Sequence, residues 1–387
     1  MGPETGDKEN RSSIQVERVL VGLFVLISLL SSLFAAAQSN QPGFEDLVAS
    51  ATAAREQNDV SRAIELYGQA VQMNPRWPDG WWFLGSMQYG AGAFAAARDA
   101  LSQYISLSPN AGPATAMRGL CEFETGQYSD SLKDIQRGLS MGAANQPRNE
   151  KILRYHEALL LTRAGRFEDA LRSFAFFTSD PDPNREFFLG LGLAGLRTSV
   201  LPNELRADGQ ELYASAGKAA FDYMKGNDEV ARVEFQRLFE QFPAAPNAHY
   251  LYGYLLYATD PDAALVELKR ELDVDPSNAA AEVMLAWIPL MQNHAAEALP
   301  YAQKAVVADP GLSSGQLVLG RALSETGDPK DGIEHLEKTE LLQPGDLEVH
   351  LALARAYSEA GRKEDARRER LLCLEMTKNE TKPALHP

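Results

Sequence analysis

The feature that most constrains the fold of this chain is a proline that returns at a fixed interval. The prolines form two groups, within which neighbours are 33 or 34 residues apart: Pro75 and Pro109, then Pro243, Pro276, Pro310 and Pro344. Twelve positions before each proline stands a small residue: Ala63, Ala97, Ala231, Ala264, Ala298 or Gly332. A period of this length is typical of stacked helical repeats, so it predicts two helices per period.

One period shows why these residue types recur. In 279–312, a second helix has an apolar stripe at Ala298, Ala302 and Ala305, spaced by threes and fours. Pro310 lacks a backbone N–H and cannot prolong this helix, so the chain turns into the next pair. Because one short pair cannot bury its own apolar face, stacking against neighbouring pairs must complete the core.

The order of these residues is similar to that of a known repeat. The second period gives the best match, with the matching residues Trp81, Leu84, Gly85, Ala97, Leu101 and Pro109. On these residues the sequence resembles the tetratricopeptide repeat, and the resemblance extends over roughly 44–378. It implies an all-α fold, a right-handed α-solenoid of about nine to ten antiparallel helix pairs.

The net charge limits the classes of partner. The chain has a formal charge of −16, which repels phosphate backbones. The sequence also has no basic patch with interleaved aromatic residues, so we expect no nucleic-acid partner. Its hydrophobic fraction of 45% is enough for a sizeable core in one repeat array.

The first residues differ in character from the repeats. Residues 19–37 form an uncharged, largely apolar run that follows Arg11 and Arg18 and ends in small residues. This pattern predicts a hydrophobic helix within 1–37, either a signal peptide cleaved after Ala37 or an uncleaved membrane anchor. In the first case the repeats are periplasmic or secreted. In the second case they are anchored to the inner membrane and lie outside the cytoplasm.

The remaining residues divide into two repeat blocks and the segments around them. The predicted segments are a linker at 38–43, a first repeat block at 44–198, an irregular joint at 199–211, a second repeat block at 212–378 and a polar tail at 379–387. The joint has a proline and a glycine where a second helix is expected. We therefore expect the helix that begins at Arg185 to lack its partner.

Several apparent chemical motifs have simpler explanations. Residues 190–195 match the spaced glycines of a dinucleotide-binding loop, but a helix precedes them where that motif needs a strand, so we predict close helix packing. The six histidines lack the spacing of a helical metal site. Cys121 and Cys373 are far apart in a stacked array, which predicts two free, packed thiols. We expect no metal, no cofactor and no catalytic residue. An enzyme with a site at the joint, near Glu204 or Asp208, is the less favoured alternative.

The residues expected to bind a partner are mostly aromatic. In proteins that this chain resembles, ligands lie against the first helix of each pair, at its second, fifth, ninth and twelfth positions. Applied to this sequence, that pattern predicts eight partner-binding residues: Trp82, Tyr89, Phe123, Tyr213, Tyr250, Tyr254, Tyr257 and Trp287. Four further residues fall in the same set: Leu120, Tyr155, Leu159 and Tyr223. Aromatic rings provide contact area with little rotamer entropy to lose, and Tyr and Trp keep a polar group. The alternative is that many of these rings pack between repeats and do not meet solvent.

Together these features predict a non-enzymatic scaffold in the bacterial envelope. It would bind a peptide or a helix of a partner protein along an aromatic-lined concave groove. A glycan- or polymer-binding envelope protein is the alternative. Because proteins with one fold have many ligands, the identity of the partner does not follow from the fold.

Overall fold

The structure, a computed structural model, describes residues 43–144, 147–180 and 183–380. Within these ranges it has nineteen α-helices, two short 3₁₀ helices and no β-strand, which confirms the predicted all-α class. The predicted hydrophobic helix within 1–37 lies outside the described residues. No helix inside the described ranges combines the length and the apolar character needed to cross a bilayer.

The chain divides into two compact units, Met1–Ala143 and Ala144–Pro387. The described helices of the first unit are α1 Phe44–Glu56, α2 Val60–Met73, α3 Pro78–Gly90, α4 Phe94–Leu107, α5 Gly112–Glu124 and α6 Tyr128–Ser140. The described helices of the second unit are α7 Pro147–Arg163, α8 Phe167–Ala175, α9 Arg185–Gly195, α10 Gln210–Met224, α11 Asp228–Gln241, α12 Ala248–Leu256, α13 Pro261–Val274, α14 Ala279–Met291, α15 Ala295–Ala308, α16 Ser313–Glu325, α17 Pro329–Leu342, α18 Leu347–Glu359 and α19 Lys363–Glu380.

Each regular pair consists of a first helix, a turn of three or four residues and a second helix. In most of these turns a Gly or Asn adopts the left-handed conformation, as in Gly92 with φ +74° and Asn58 with φ +58°. Glycine and asparagine adopt positive φ more readily than other residues, and such a residue ends a helix. The side chain of Asp59 then caps α2 by accepting a hydrogen bond from the Arg62 amide at 3.1 Å.

The small residue of the second helix allows the two helices of a pair to approach closely. The five alanines at this position are completely buried: Ala63, Ala97, Ala231, Ala264 and Ala298. The first helices contribute a glycine to the same contact. In α16, a Cβ atom added to Gly320 would lie 2.6 Å from Cγ of Leu336 on α17, closer than real Cβ contacts. The repeated small residues therefore follow from packing.

The predicted joint needs one correction. The sequence predicts the joint at 199–211; in the structure, residues 196–209 are irregular apart from a 3₁₀ helix at Pro202–Glu204. The helix before the joint, α9, nevertheless has a packing partner, because it lies directly against α10. A Cβ atom at Gly192 would overlap the carbonyl oxygen of Tyr213, and one at Gly217 would overlap that of Phe188. The glycines at 190–195 therefore serve close helix packing, as predicted.

The joint lies inside the second compact unit, whereas the two units divide at Ala143 and Ala144. The boundaries of the predicted repeat blocks thus stay predictions. Both cysteines are free and buried, Cys121 in the first unit and Cys373 in the second. Burial raises the pKa of the Cys121 thiol to about 12, so it is an unreactive packing residue.

Candidate functional site

The first helices of the second unit place a row of large side chains at equivalent positions. This row consists of Tyr254 on α12, Trp287 on α14, Arg321 on α16 and Arg355 on α18, in steps of 33, 34 and 34 residues. Equivalent residues of successive stacked repeats lie beside one another. The row changes from aromatic to cationic along the chain.

Tyr254 and Trp287 form the aromatic end of this row, and the predicted residues Tyr250 and Tyr257 lie beside Tyr254. We refer to Tyr250, Tyr254, Tyr257 and Trp287 as the tyrosine–tryptophan strip. The ring centroids of Tyr250 and Tyr254 are 6.1 Å apart, and those of Tyr254 and Tyr257 are 5.7 Å apart. Trp287 packs with Tyr254 and Tyr257 against one core cluster and also borders the clusters of the next two pairs. Tyr254, Tyr257 and Trp287 are half-buried.

Tyr250 differs from the rest of the strip because only 3% of its surface is exposed. Its hydroxyl donates a hydrogen bond to Oε1 of Glu168 at 2.9 Å, and Nη1 of Arg197 donates to the Tyr250 hydroxyl at 3.2 Å. Arg197 also forms an ion pair with Glu168. The partner-binding role predicted for Tyr250 needs a correction, because burial prevents its ring from contacting a partner. Its side chain instead fixes the position of α12.

The residue that connects this network to the joint is Arg197. It has a left-handed backbone, with φ +55°, directly after α9, and its guanidinium lies over the rings of Phe167 and Tyr250 at 4.9 and 5.1 Å. Non-glycine residues adopt this conformation only where surrounding contacts hold it. The irregular segment after α9 therefore positions the beginning of the strip.

Tyr254 keeps its proton under physiological conditions. Burial, with a smaller contribution from the Glu168 charge, raises the pKa of Tyr254 to about 12. The phenol is therefore a neutral hydrogen-bond donor and acceptor. A half-buried ring with such a group can bind both apolar and polar parts of a ligand.

The cationic end of the row consists of arginines bound by glutamates. Nη1 of Arg321 lies 2.8 Å from Oε1 of Glu348, and Nη1 of Arg355 lies 3.0 Å from Oε1 of Glu325. The guanidinium carbon of Arg321 is 5.1 Å from the Trp287 ring centroid. These pairs connect α16 to α18, and they place charges of both signs beside the aromatic rings.

A small cavity lies at this charged end, between the first helices α16 and α18. Its volume is about 170 Å³, and its lining includes Arg321, Glu325, Leu351 and Arg355. Leu351 is 48% exposed. The cavity thus offers an apolar contact within a charged border.

The other predicted residues belong to the first unit or to other helices of the second unit. In the first unit, the centroid of Trp82 is 5.6 Å from that of Tyr104, and Tyr89 lies 5.6 Å from Phe94. Both rings are half-buried against one core cluster of that unit. Phe123 is half-buried, with its ring 5.8 Å from that of Tyr128.

Tyr213 belongs to α10, and its hydroxyl accepts a hydrogen bond from Oγ1 of Thr198 at 3.3 Å. Among the further members of the predicted set, Leu159 is buried, and Tyr155 packs against Phe174 and Phe187. For these residues, packing between helices accounts for the ring contacts. Their predicted contact with a partner stays a prediction.

Sequence reasoning missed Arg321 and Arg355. Both stand at the repeat position of Tyr254 and Trp287. The signal was therefore present in the sequence, but the predicted set consisted mainly of aromatic residues. Glu325 could not have been found in this way, because it follows the twelfth position and only the fold brings it to Arg355.

Comparisons with known proteins agree with this architecture. A tetratricopeptide-repeat model matches residues 48–112, 155–220 and 254–313, and a second model of the same repeat matches 323–369. A curated relative is "Small glutamine-rich tetratricopeptide repeat-containing protein 2" of Mycosarcoma maydis, 26% identical over 129 residues. The match covers 33% of this chain and 37% of that protein, so it spans little more than a third of the relative's length.

Solved structures with a similar fold include MamA and yeast Tom70. The MamA crystal structure is 21% identical, with a TM-score of 0.38, and the match covers 46% of this chain and all of that one. Yeast Tom70 is 14% identical with a TM-score of 0.37, and the match covers 86% of this chain and 76% of that one. Scores this low carry no argument about function.

Proposed function

The chain belongs to the tetratricopeptide-repeat family, and we propose that it is a non-enzymatic scaffold whose second unit binds a peptide segment of a partner protein. The family is in general a protein-interaction fold, which supports a protein ligand. The binding surface that we propose is the tyrosine–tryptophan strip together with the charged end of the row. Tyr254, Tyr257 and Trp287 would contact the segment, and Tyr250 would hold α12 in place.

The observation that carries this proposal is the partial exposure of Tyr254, Tyr257 and Trp287, which lie in or directly after first helices of the second unit. Each ring has a packed side that fixes its rotamer, so binding costs little side-chain entropy. Aromatic anchors of this kind dominate the energy of many protein interfaces.

The charged end of the row favours a peptide over a uniformly charged ligand. Arg321 and Arg355 alternate with Glu325 and Glu348, and Leu351 lies exposed among them. The two carboxylates would repel the negative charge of a nucleic acid or another polyanion. A peptide with an apolar side chain and charges of both signs can satisfy every group on this surface.

We also propose that the repeats function in the bacterial envelope, outside the cytoplasm. The support for this location is the apolar run at 19–37, with its preceding arginines and its small residues at the end. Fusion of alkaline phosphatase to the end of the full chain tests it, since that enzyme folds only after export. Activity should be present with residues 1–37 and absent without them, and activity in neither fusion contradicts the location.

Site-specific crosslinking tests the binding surface. A photoreactive phenylalanine analogue is placed at position 254 or 287 of the full chain, in the cells that produce it. The matched control is position 252, two residues away on α12, where Tyr252 stacks on Phe235 of α11 at 4.3 Å and so faces elsewhere. Positions 254 and 287 should both crosslink to one segment of the same protein. Equal crosslinking at 252 rejects the surface.

A further inference from the structure

The last three described helices bring together a cluster of ionisable side chains that partner binding does not use. Glu340 comes from α17, His350 from α18 and Glu369 from α19. One ligand atom from each lies within 4.8 Å of the other two. Only 3% of His350 and 0% of Glu369 is exposed, whereas Glu340 is half-buried. The cluster therefore has one partly solvent-accessible side.

Hydrogen bonds fix the orientation of the imidazole. Nε2 lies 3.0 Å from the carbonyl oxygen of Pro344, which can only accept, so Nε2 must carry a proton. Nδ1 lies 2.8 Å from Oε2 of Glu369. In metal sites, the histidine nitrogen that does not bind the metal commonly donates to a backbone carbonyl in this manner. The geometry thus leaves Nδ1 as the ligand atom, directed at a carboxylate.

The contact between Nδ1 and Oε2 of Glu369 needs a proton, because neither a lone-pair nitrogen nor a carboxylate oxygen can donate without one. The half-buried carboxylate of Glu340 lies beside this pair. A divalent cation can take the place of that proton between the two carboxylates.

The positive charge of the neighbouring Arg368 disfavours a metal ion in the cluster, but this effect is limited. Nε of Arg368 lies 3.1 Å from Oε1 of Glu369, so it occupies the oxygen that faces away from His350. Nη1 of Arg368 also pairs with Asp365 at 3.0 Å, which offsets its charge. Oε2 of Glu369 stays directed towards the cluster.

We propose that Glu340, His350 and Glu369 bind one divalent transition-metal ion, with Zn²⁺ as the best fit to one imidazole and two carboxylates. Zinc bonds to N and O ligands are about 2.0–2.2 Å long, which sets tetrahedral ligand atoms about 3.3 Å apart. Nδ1 and Oε2 would therefore separate by about half an ångström, and water would complete the coordination. Binding exchanges the shared proton for the metal, so one proton is released for each ion bound.

Sequence reasoning could not find this site. The three residues are 10 and 19 positions apart, and no metal motif has that spacing. Stacking of three consecutive helices brings them together. The absence of helical metal-site spacing between histidines therefore says nothing about ligands that come from different helices.

Calorimetric titration of the full chain with Zn²⁺ tests the proposal, in two buffers of different ionisation enthalpy. We expect one ion per chain and release of about one proton, which the difference between the two buffers measures. Co²⁺ should give the visible absorption of a four-coordinate site and should be displaced by Zn²⁺.

Variants distinguish this cluster from adventitious binding by other histidines. Glu340→Gln removes a half-buried ligand and should keep the fold, which circular dichroism verifies, while weakening Zn²⁺ binding at least about tenfold. His350→Gln should abolish binding. The control is His294→Gln, since the His294 side chain is 57% exposed and distant in sequence, and it should bind like the wild type. Absence of stoichiometric binding, or Glu340→Gln and His350→Gln variants that bind like the wild type, overturns the proposal.

Discussion

The guanidinium carbon of Arg321 lies 5.1 Å from the centroid of the Trp287 ring. The two residues occupy equivalent positions of successive first helices, so a cation–π contact connects neighbouring repeats. Glu325, whose side chain is only 6% exposed, lies 3.6 Å from Arg321 and 3.0 Å from Arg355. The aromatic and charged ends of the row are thus one connected surface.

Replacement of Arg321 by Met should destabilise the second unit by about 2 kcal/mol. The reason is that the buried carboxylate of Glu325 then keeps only one of its two arginine partners. The control is Glu348→Gln, which removes a partner that is 39% exposed and should lower stability by less than about 1 kcal/mol. Urea unfolding followed by circular dichroism measures both. If both variants lose the same stability, the larger contribution expected of Arg321 is contradicted.

Replacement of Gly192 by Ala should destabilise the chain by about 3 kcal/mol, because the new Cβ overlaps the Tyr213 carbonyl and backbone atoms cannot move aside cheaply. The matched control is Gly68→Ala in the middle of α2, where no atom lies within 4 Å of an added Cβ. That substitution should stabilise by about 0.5–1 kcal/mol, since alanine favours helices. If the midpoint of thermal unfolding falls for Gly192→Ala and rises for Gly68→Ala, the close packing of α9 on α10 is supported. A neutral Gly192→Ala variant contradicts it.

Because Glu122 is buried and its pKa is raised, the stability of the first unit should depend on pH. Only 7% of it is exposed, and its Oε2 has no hydrogen-bond partner among the described residues. Burial, followed by the Asp134 charge, raises its pKa to about 7. The folded state therefore binds this proton more tightly than the unfolded state, whose glutamate pKa is about 4.3. Stability should fall as pH rises between those values and through the folded pKa.

The variant Glu122→Gln should remove this loss and be more stable than the wild type at pH 8 by at least about 1 kcal/mol. At pH 4 the two proteins should be nearly equal. Chemical unfolding at several pH values gives the difference. A constant difference between variant and wild type across this range means that Glu122 does not titrate as predicted.

Tyr250→Phe separates support of the surface from contact with a partner. Loss of the hydroxyl removes the hydrogen bond to Glu168 and should lower stability by about 1 kcal/mol, while the ring stays in place. Because Tyr250 is buried, crosslinking from position 287 should keep its wild-type yield. Tyr254→Ala should instead reduce that yield severalfold. A similar reduction by both variants would mean that Tyr250 itself contacts the partner.

The period of the sequence predicted what depends on local packing. Ala63 and Ala97 had to be small because a second helix lies directly against a first, and Gly92 had to allow positive φ because the helix ends there. These requirements recur in most pairs, so they are visible without the structure.

Other features depend on contacts between distant residues and left no local signal. Helix α9 lies against α10 although 14 irregular residues separate them, and Glu168 reaches Tyr250 from 82 residues away. Each of these contacts occurs only once in the chain, so no repeat pattern reveals it. For the same reason the sequence did not show which of the predicted rings are buried, as Tyr250 is.

The central claim is that the tyrosine–tryptophan strip binds a segment of a partner protein. Its most direct test is calorimetric titration of the segment identified by crosslinking into the wild type and into the Trp287→Ala, Tyr254→Ala and Tyr252→Ala variants, after circular dichroism shows that each is folded. The account predicts at least about tenfold weaker binding for Trp287→Ala and Tyr254→Ala and less than about twofold for Tyr252→Ala. Wild-type affinity in Trp287→Ala and Tyr254→Ala, or an equal loss in all three, contradicts it.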